Sequence, residues 1–497
     1  MEEALLTRSS RSLNQKSSES IGFERHGSSF QAIVDELQSP FSTITFPLVF
    51  STLIAICGSY VFGHAVGYSS PAQSGIMKDL GLTSSEYSLF SSILTVGGML
   101  GAVLSGKIAD LIGRRAAMGV AEVFSMAGWL AILLSEAAWT LYLGRFLLGC
   151  GIGLMSYAVP IYIAEITPKR VRGGFTALNP LMMGFGQSLA FLYGSLLNWR
   201  ILALIGIIPG IIQLPGLFFI PESPRWLAKL GRLKDFEASL QRLRGPNADI
   251  TQEAAEIKDY TLFLQYIQQE DGFLNLFRRR YARVLIVGVG LMLFQRFGGT
   301  YAFLFYASTI FEAGGFSSTI GTIAAAIVQL IGTTIGALVI DKYGRRPMLL
   351  ISSVGACLGC ILTGLAFLFQ DFNFSKVLSA GLVFVGVLLY LGFLQVGLGG
   401  IPWIIMSEIF PINIKGAAGS LVILISWIGS LIIAYTFTFL FDWSSAGKAA
   451  SIGTFFIYGG ICAAGILFIA TLVPETRGRA LEEIQDSLVR SMQCNVQ

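Results

Sequence analysis

The sequence is poor in charge and in histidine. Only 13% of its 497 residues are Asp, Glu, Lys or Arg, whereas soluble domains carry about 25%, and it contains two histidines. Hydrophobic residues make up 54% of the chain, and the mean hydropathy is +0.68. This composition excludes a soluble enzyme, a disordered protein and a nucleic-acid-binding protein.

Cysteine is also scarce, and it follows no metal-binding pattern. The six cysteines are scattered, and the one C-x-x-C spacing, Cys357 to Cys360, lies inside an apolar segment. We interpret them as small apolar residues of membrane helices. The chain has no nucleophile–base set and no nucleotide-binding loop, so we expect no cofactor, no metal and no enzymatic activity.

Long apolar segments fill most of the chain. A membrane helix needs about 20 apolar residues, and twelve such segments occur in two groups of six. The sequence therefore predicts an all-α integral membrane protein with 12 transmembrane helices. The predicted parts are a tail (1–45), a six-helix half (46–220), a linker with short helices near 233–244 and 251–268 (221–282), a second half (283–473) and a tail (474–497).

Basic residues predict the orientation. Twenty-eight of the 34 Lys and Arg residues fall in the two tails and in the loops on the linker's side. The positive-inside rule then places both termini and the linker in the cytoplasm. Asn373 begins a glycosylation sequon in a short loop on the opposite side.

The N-terminal tail lacks the pattern of a secretory or mitochondrial signal. Its residues 2–6, E-E-A-L-L, form an acidic dileucine-like sequence. One interpretation is a sorting signal for an internal membrane, with the vacuolar membrane favoured over the plasma membrane; the other is a chance match.

Three local patterns occur twice, in the same order. They are D-x-x-G-R-R at 110–115 and 341–346, E-I-x-P-x-x-x-[RK]-G at 165–173 and 408–416, and P-E-[ST] at 221–223 and 474–476. Three matches in order indicate a duplication. Halves of six segments have the same orientation, so we expect parallel repeats with a substrate cavity between them near mid-membrane.

The repeated charges all lie at the same ends of their helices. One hypothesis is a charge network that clasps the two halves together in one state and breaks in the other, because Arg binds carboxylates in bidentate geometry; the alternative is that they only set topology. Its predicted members are Asp110, Arg114, Arg115, Glu165, Arg172, Glu222, Asp341, Arg345, Arg346, Glu408 and Glu475. Arg145 lies within an apolar segment and needs a partner there.

Together these motifs resemble the sugar porter family of the major facilitator superfamily. The resemblance covers about residues 106–478 and includes G-R at 144–145, P-E-S-P-R-W at 221–226, G-G-I-P-W at 399–403 and P-E-T-R-G at 474–478. The segments G-G-I-P-W and S-E-I-F-P-I-N, with F-G-H-A-V-G-Y at 62–68, are most similar to the plant early-responsive-to-dehydration-type branch. This branch is similar to the intracellular class of hexose facilitators. The resemblance implies a major facilitator fold and a monomeric carrier of monosaccharides in a lipid bilayer.

The resemblance implies a set of sugar contacts, of which four depart from the family pattern. The retained contacts are Gln187, Gln295, Gln329 and Trp403, since amides donate to and accept from hydroxyls. The departures are Pro180, Arg296, Tyr301 and Ser426, the last beside Trp427. Arg296 could bind an anionic group of a substrate, pair with a carboxylate or reach the membrane surface.

The coupling mechanism is predicted from the first segment. Family symporters have an Asp where this chain has Ala65, and the missing carboxylate favours facilitated diffusion of a hexose over proton-coupled movement. His64 is next to this position and is either a pH-sensitive group or a packing residue. The remaining alternatives are a carrier of another substrate and a sugar sensor that binds without transport.

Overall fold

The computed structural model describes residues 44–168, 170–268, 279–372, 374–410, 414–442 and 450–476. Most of both predicted tails, with the dileucine-like sequence, lies outside the described residues, as do Asn373 and the side chain of Asp341. Within the described ranges the chain is helical and has no strand.

Within the described ranges, the first half contains seven helices, and three short helices follow in the linker. They are α1 (Phe46–Gly67), α2 (Ser69–Leu80), α3 (Ser84–Ile112), α4 (Arg114–Leu133), α5 (Ala138–Ile166), α6 (Arg172–Leu196), α7 (Trp199–Phe219), α8 (Pro224–Lys229), α9 (Leu233–Arg244) and α10 (Thr251–Gln268).

The second half repeats the arrangement. Its helices are α11 (Arg279–Phe297), α12 (Thr300–Ala313), α13 (Ser318–Tyr343), α14 (Arg345–Asp371), α15 (Lys376–Phe393), α16 (Ile401–Ile409), α17 (Lys415–Asp442) and α18 (Ala450–Leu472). A five-residue π-helical turn, Leu394–Leu398, connects α15 to α16.

Eleven helical stretches in the described part are long and apolar enough to cross a membrane. At the fifth of the twelve predicted positions lies α6, a 25-residue helix that is less apolar than the others. Its sequence contains Asn179, Pro180 and Gln187, and it packs between α1 of its own half and α13 of the other. α6 therefore lies where the two halves meet, and its Gln187 contacts Gln329 of α13.

Glycines bring the inner helices of the first half into backbone contact. A Cβ atom on Gly97 or Gly101 of α3 would overlap carbonyl oxygens of α5, and one on Gly149 or Gly153 of α5 would overlap those of α3. Small residues allow this close approach where helices pack without a hydrophobic driving force.

The linker defines one side of the bundle, which we call the linker side; the opposite side is the far side. Trp226 of α8 donates from Nε1 to the carbonyl oxygen of Asp110 (2.9 Å), and Arg244 of α9 donates to that of Ile166 (2.9 Å). These bonds hold the linker helices against the ends of α3 and α5.

The first membrane helix of each half is interrupted at the same place in the repeat. Tyr68 separates α1 from α2, and Gly298 and Gly299, about 231 positions later, separate α11 from α12. Gly299 has φ +94°, which favours glycine, and a Cβ there would lie 2.8 Å from the ring of Tyr458. The breaks place α2 and α12 on the far side, where the halves meet.

Candidate substrate site between the halves

Three glutamines from three helices meet where the halves join. Gln187 of α6 donates from Nε2 to Oε1 of Gln329 on α13, and the same oxygen lies 3.4 Å from Nε2 of Gln395. Gln187 and Gln329 are buried, and among the described residues Nε2 of Gln329 has no hydrogen-bond partner. The structure thus brings together two of the predicted sugar contacts with one residue, Gln395, that the sequence did not single out.

The π-helical turn explains how Gln395 reaches this cluster. A π turn displaces side chains from their usual helical directions and leaves carbonyl oxygens available. Gln295 of α11 uses those oxygens, because its Nε2 donates to the carbonyl of Leu398 and lies 3.4 Å from that of Gly399. The other atom of this buried amide, Oε1, has no partner among the described residues.

Arg296 lies beside this cluster, on the α17 side. Its Nε donates to Oγ of Ser426 (2.8 Å), and its guanidinium carbon is 5.1 Å from the centroid of the Tyr301 ring. Within the described part of the chain, no carboxylate is within salt-bridge distance of Arg296. Two of the other departures from the family pattern, Ser426 and Tyr301, therefore contact Arg296.

The fourth departure, Pro180, lies in α6 one helical turn before Gly184. At Gly184 a Cβ would lie 2.6 Å from Thr333 Cγ2 of α13, so the helices approach closely there. Asn179 accepts a hydrogen bond from Ser59 of α1 (2.7 Å) and is engaged within its own half.

Two tryptophans are also among the predicted contacts. Trp427 of α17 packs on Gly98 of α3, and its ring centroid is 6.3 Å from that of Phe62 on α1. Trp403 of α16 is partly buried and packs against the apolar core. Trp427 thus contacts both halves, whereas Trp403 belongs to the second half.

The repeated charges pair within each half. In the first half, Arg114 contacts Asp110 (2.8 Å) and Glu165 (2.9 Å), and Glu222 accepts from the backbone N–H groups of Arg114 (3.0 Å) and Arg115 (3.1 Å). The carboxylate of Glu222 thereby binds the N-terminus of α4, where free N–H groups attract negative charge. Burial raises the pKa of Glu222, and the backbone N–H groups of Ser223 and Arg115 partly oppose that rise.

The second half contains the equivalent network. Glu475 accepts from the backbone N–H groups of Arg345 (3.1 Å) and Arg346 (3.0 Å) at the start of α14, and Arg345 lies 3.2 Å from Glu408. Gly113 and Gly344, with φ +94° and +92°, allow the approach, since a Cβ on either would collide with Glu222 or Glu475.

Contact between the two networks, as the clasp hypothesis requires, stays a prediction. Arg172 lies apart from these pairs and donates weakly to the carbonyl of Thr167 (3.4 Å).

His64 and Arg145 lie inside the first half. Arg145 of α5 is fully buried; it donates to the carbonyl oxygen of Ala65 (3.0 Å) and to Oγ of Ser69, and it lies over the ring of Phe90 (4.5 Å). His64 is 3.0 Å from the carbonyl oxygen of Leu202. The partners of Arg145 are therefore a carbonyl, a hydroxyl and aromatic rings.

The chain matches the family model described as "Sugar (and other) transporter" over residues 48–488. It is 49% identical over 447 residues to the putative sugar transporter ERD6-like 13 of Arabidopsis thaliana, covering 90% of each chain. It is 50% identical over 457 residues to sugar transporter ERD6-like 16 of the same plant, covering 92% of this chain and 93% of that one.

Among solved structures, the chain is similar to the proton:xylose symporter XylE bound to 6-bromo-6-deoxy-D-glucose. The identity is 25%, the TM-score is 0.73, and the match covers 89% of this chain and 99% of that one. The inward-open XylE of E. coli is 24% identical with a TM-score of 0.71, covering 88% and 99%, and shows the fold alone. The chain belongs to the sugar porter family of the major facilitator superfamily, in its ERD6-like branch, and is a membrane sugar transporter.

Proposed function

We propose that the protein moves a hexose across the membrane by alternating access, as facilitated diffusion. The observation that carries this proposal is the glutamine cluster of Gln187, Gln329 and Gln395, because it joins the halves through amides. An amide offers both donors and an acceptor, which is what a ring of hydroxyl groups requires. Gln295 and the aromatic face of Trp403 complete the proposed contacts.

The positions of the contacts between the halves support alternating access. On the far side, Ser70 lies 2.9 Å from Ser308, Gln73 accepts from Thr309 (2.7 Å), and Ser91 lies 2.6 Å from Tyr306. On the linker side, the repeated charges pair within each half. This combination fits a state that is closed on the far side. We propose that the linker-side networks meet when the far-side contacts separate.

Facilitated diffusion is supported by the surroundings of Arg145. The position next to it is occupied by Ala65, which offers a backbone carbonyl (3.0 Å) in place of a carboxylate. A proton carrier at this point would need a titratable group. We therefore propose that the sugar moves down its own gradient through a monomer.

The test is counterflow of a panel of labelled neutral sugars into proteoliposomes, with and without a pH gradient. We expect a hexose to equilibrate without accumulating. Accumulation driven by the proton gradient would replace facilitated diffusion with symport or antiport. If a sugar binds specifically but no sugar of the panel shows counterflow, the result would favour a sensor and contradict transport.

A second candidate substrate is an acidic sugar, and Arg296 favours it. A guanidinium with no carboxylate within salt-bridge distance, in the described part of the chain, has capacity for an anion. Under this alternative, a uronic acid would compete with hexose counterflow, and Arg296→Gln would abolish the competition.

Under the hexose proposal, changing Arg296→Gln, Tyr301→Asn and Pro180→Gln together increases hexose transport, and an unchanged rate would contradict the assigned contacts.

We also propose a vacuolar membrane location with both termini in the cytoplasm. The support is the distribution of basic residues and the dileucine-like sequence at 2–6. Imaging of a fluorescent fusion, with and without Leu5→Ala and Leu6→Ala, tests the location. Protease access to a terminal tag in sealed vesicles tests the orientation.

A further inference from the structure

Glu122 is a carboxylate enclosed in the interior of the first half. It lies in the middle of α4, its exposed fraction is 0%, and neither of its oxygens has a hydrogen-bond partner among the described residues. In the same part of the chain, no Lys, Arg or His nitrogen lies within salt-bridge distance of it. An ionised carboxylate in such a place is strongly unfavourable unless it is paired.

Glu122 of α4 packs against α7, as one of several polar side chains that lie along the same face of that helix. Gly206, Gly210 and Gln213 follow each other at helical spacing on that face. A Cβ on Gly206 would lie 2.6 Å from the ring of Trp129 and 3.0 Å from that of His64, and one on Gly210 would collide with Oε1 of Glu122.

Gln213 continues the line against α1. A Cβ on Gly58 would lie 3.2 Å from its Nε2, and the amide is fully buried. We call His64, Trp129, Glu122 and Gln213 the buried polar column.

Each member of the buried polar column is 0% exposed and has an unpartnered polar atom within the described ranges. These atoms are His64 Nδ1, Trp129 Nε1, both oxygens of Glu122 and both amide atoms of Gln213. Buried polar groups in proteins are nearly always hydrogen-bonded. A run of unpartnered ones indicates that the column binds something small, and a proton with its accompanying water fits such a donor and acceptor set.

The second half shows that the fold does not need this carboxylate. The repeat of 231 residues that relates Gly113 to Gly344 relates Glu122 to Ser353. The repeat of 253 residues that relates Pro221 to Pro474 relates Gln213 to Ile466. The equivalent of the Glu122–Gln213 pair is therefore a neutral hydroxyl and an alkyl chain.

The groups around Glu122 come from the helices packed on α4. α1 contributes Cys57, whose thiol donates to the carbonyl oxygen of Leu53 (3.4 Å), and His64 in the column. α5 contributes Arg145, which is directed toward Ala65 and Ser69. The remaining charged groups of α3, α5 and α7 lie near helix ends: Glu86, Lys107, Asp110, Glu165 and Arg200.

We propose that Glu122 is a proton-binding site within the first half and that its protonation controls the rate of sugar exchange. Loss of the proton at high pH requires water to enter between α1, α4 and α7, which disturbs the packing of the half that rocks. Because the site is inside one half, rocking of the halves does not alternate its exposure. The proton therefore regulates exchange without driving accumulation, and the inference rests on the proposed function only in needing sugar exchange.

The first experiment measures exchange of the best counterflow sugar at equal pH on both sides, from pH 5 to pH 9. Wild-type exchange should fall as pH rises, by at most about tenfold per pH unit for a single group. Glu122→Gln, which imitates the protonated form, should keep the acid rate throughout. Glu122→Ser, the residue of the other half, should also be independent of pH, whereas Glu136→Gln, which changes an exposed carboxylate outside the column, should keep the wild-type profile.

The second experiment needs no sugar and separates this inference from the proposed function. Thermal unfolding in detergent should show the wild-type midpoint falling relative to that of Glu122→Gln between pH 5 and pH 9. If no sugar exchanges, the proposed function fails and the unfolding comparison still tests the site. Parallel unfolding profiles, or a Glu122→Gln exchange profile that superimposes on a pH-dependent wild type, would overturn the inference, as would wild-type exchange that does not change with pH.

Discussion

The two halves keep the same linker-side charges but differ in their interiors. Glu222 and Glu475 bind the start of α4 and of α14 in the same way, through backbone N–H groups. In contrast, Glu122 and Arg145 are buried in the first half alone, and Arg296 lies beside the halves' junction in the second. What was duplicated and kept is the part that holds each half together. What diverged is the set of charged side chains inside the bundle.

Close packing is the sharpest difference between equivalent positions. A Cβ on Gly149 would collide with the backbone of Leu94, while a Cβ on Gly392, its equivalent 243 residues later, would meet only the Val328 side chain. Gly149→Ala should cost about 3 kcal/mol or more and Gly392→Ala about 1 kcal/mol, because a side chain yields and a backbone does not. The yield of monodisperse protein and the thermal midpoint in detergent measure the loss of stability in both variants. Gly174→Ala is the control, because a Cβ there would meet no atom within 4 Å. Equal losses would mean that the halves are packed alike.

The charge networks should differ in strength. The Arg114 side chain is 7% exposed and its partner Glu165 is 16% exposed, whereas Arg345 is 17% exposed and its partner Glu408 is 25% exposed. Arg114→Ala should destabilise the protein by about 2 kcal/mol, because it removes the ion-pair partner of the partly buried Glu165, and Arg345→Ala by about 1 kcal/mol. The control is Arg232→Ala in an exposed pair, and thermal unfolding is the measurement. A larger effect at Arg345 would contradict this order.

The substrate site should depend on both halves together. Gln187→Ala and Gln329→Ala should each raise the half-saturating sugar concentration about tenfold, the loss of one good hydrogen bond. The double variant should fall short of the product of the two, because the two amides bond each other. Gln241→Ala in the linker serves as control. If the double variant in counterflow shows the full product of the two single effects, the two residues act independently, which would contradict a shared site.

The far-side contact should show a small asymmetry. Ser70 Oγ accepts from the backbone N–H of Ser308 (2.9 Å) and also lies 2.9 Å from its hydroxyl. Ser70→Ala removes both bonds and should lower the ratio of far-side-closed to far-side-open molecules about fivefold. Ser308→Ala should lower this ratio less. Distances between spin labels at positions 136 and 376, in a background without native cysteines, report the populations. A larger shift with Ser308→Ala would reverse the argument.

Most of the fold could be predicted from the sequence because membrane helices follow simple rules. Apolar length, basic loops and the D-x-x-G-R-R repeat each depend on local composition. Gln187 and Gln329, which bond each other, could also be singled out, since the resemblance aligns them and buried amides in apolar helices are rare. Their role as sugar contacts stays a prediction.

Other features depended on geometry that no local pattern encodes. Gln395 enters the site through a π turn, and nothing in its neighbourhood predicts that turn. The pairing of Arg114 inside its own half depends on where α5 and the linker end. Glu122 could be recognised as an intramembrane acid, but its lack of a partner follows from the packing of three helices.

The positions of Glu222 and Glu475 have a consequence for assembly. Each lies within three residues of the end of the last helix of its half, and each binds back to the start of an earlier helix of the same half, α4 for Glu222 and α14 for Glu475. The end of the last helix in each half is therefore held to an earlier helix by contacts within that half, and the covalent linker between the halves is not needed for these contacts. Two polypeptides, cut between the halves and produced together, should recombine into a working carrier, and loss of the Glu222 side chain should abolish that recombination before it abolishes transport by the intact chain.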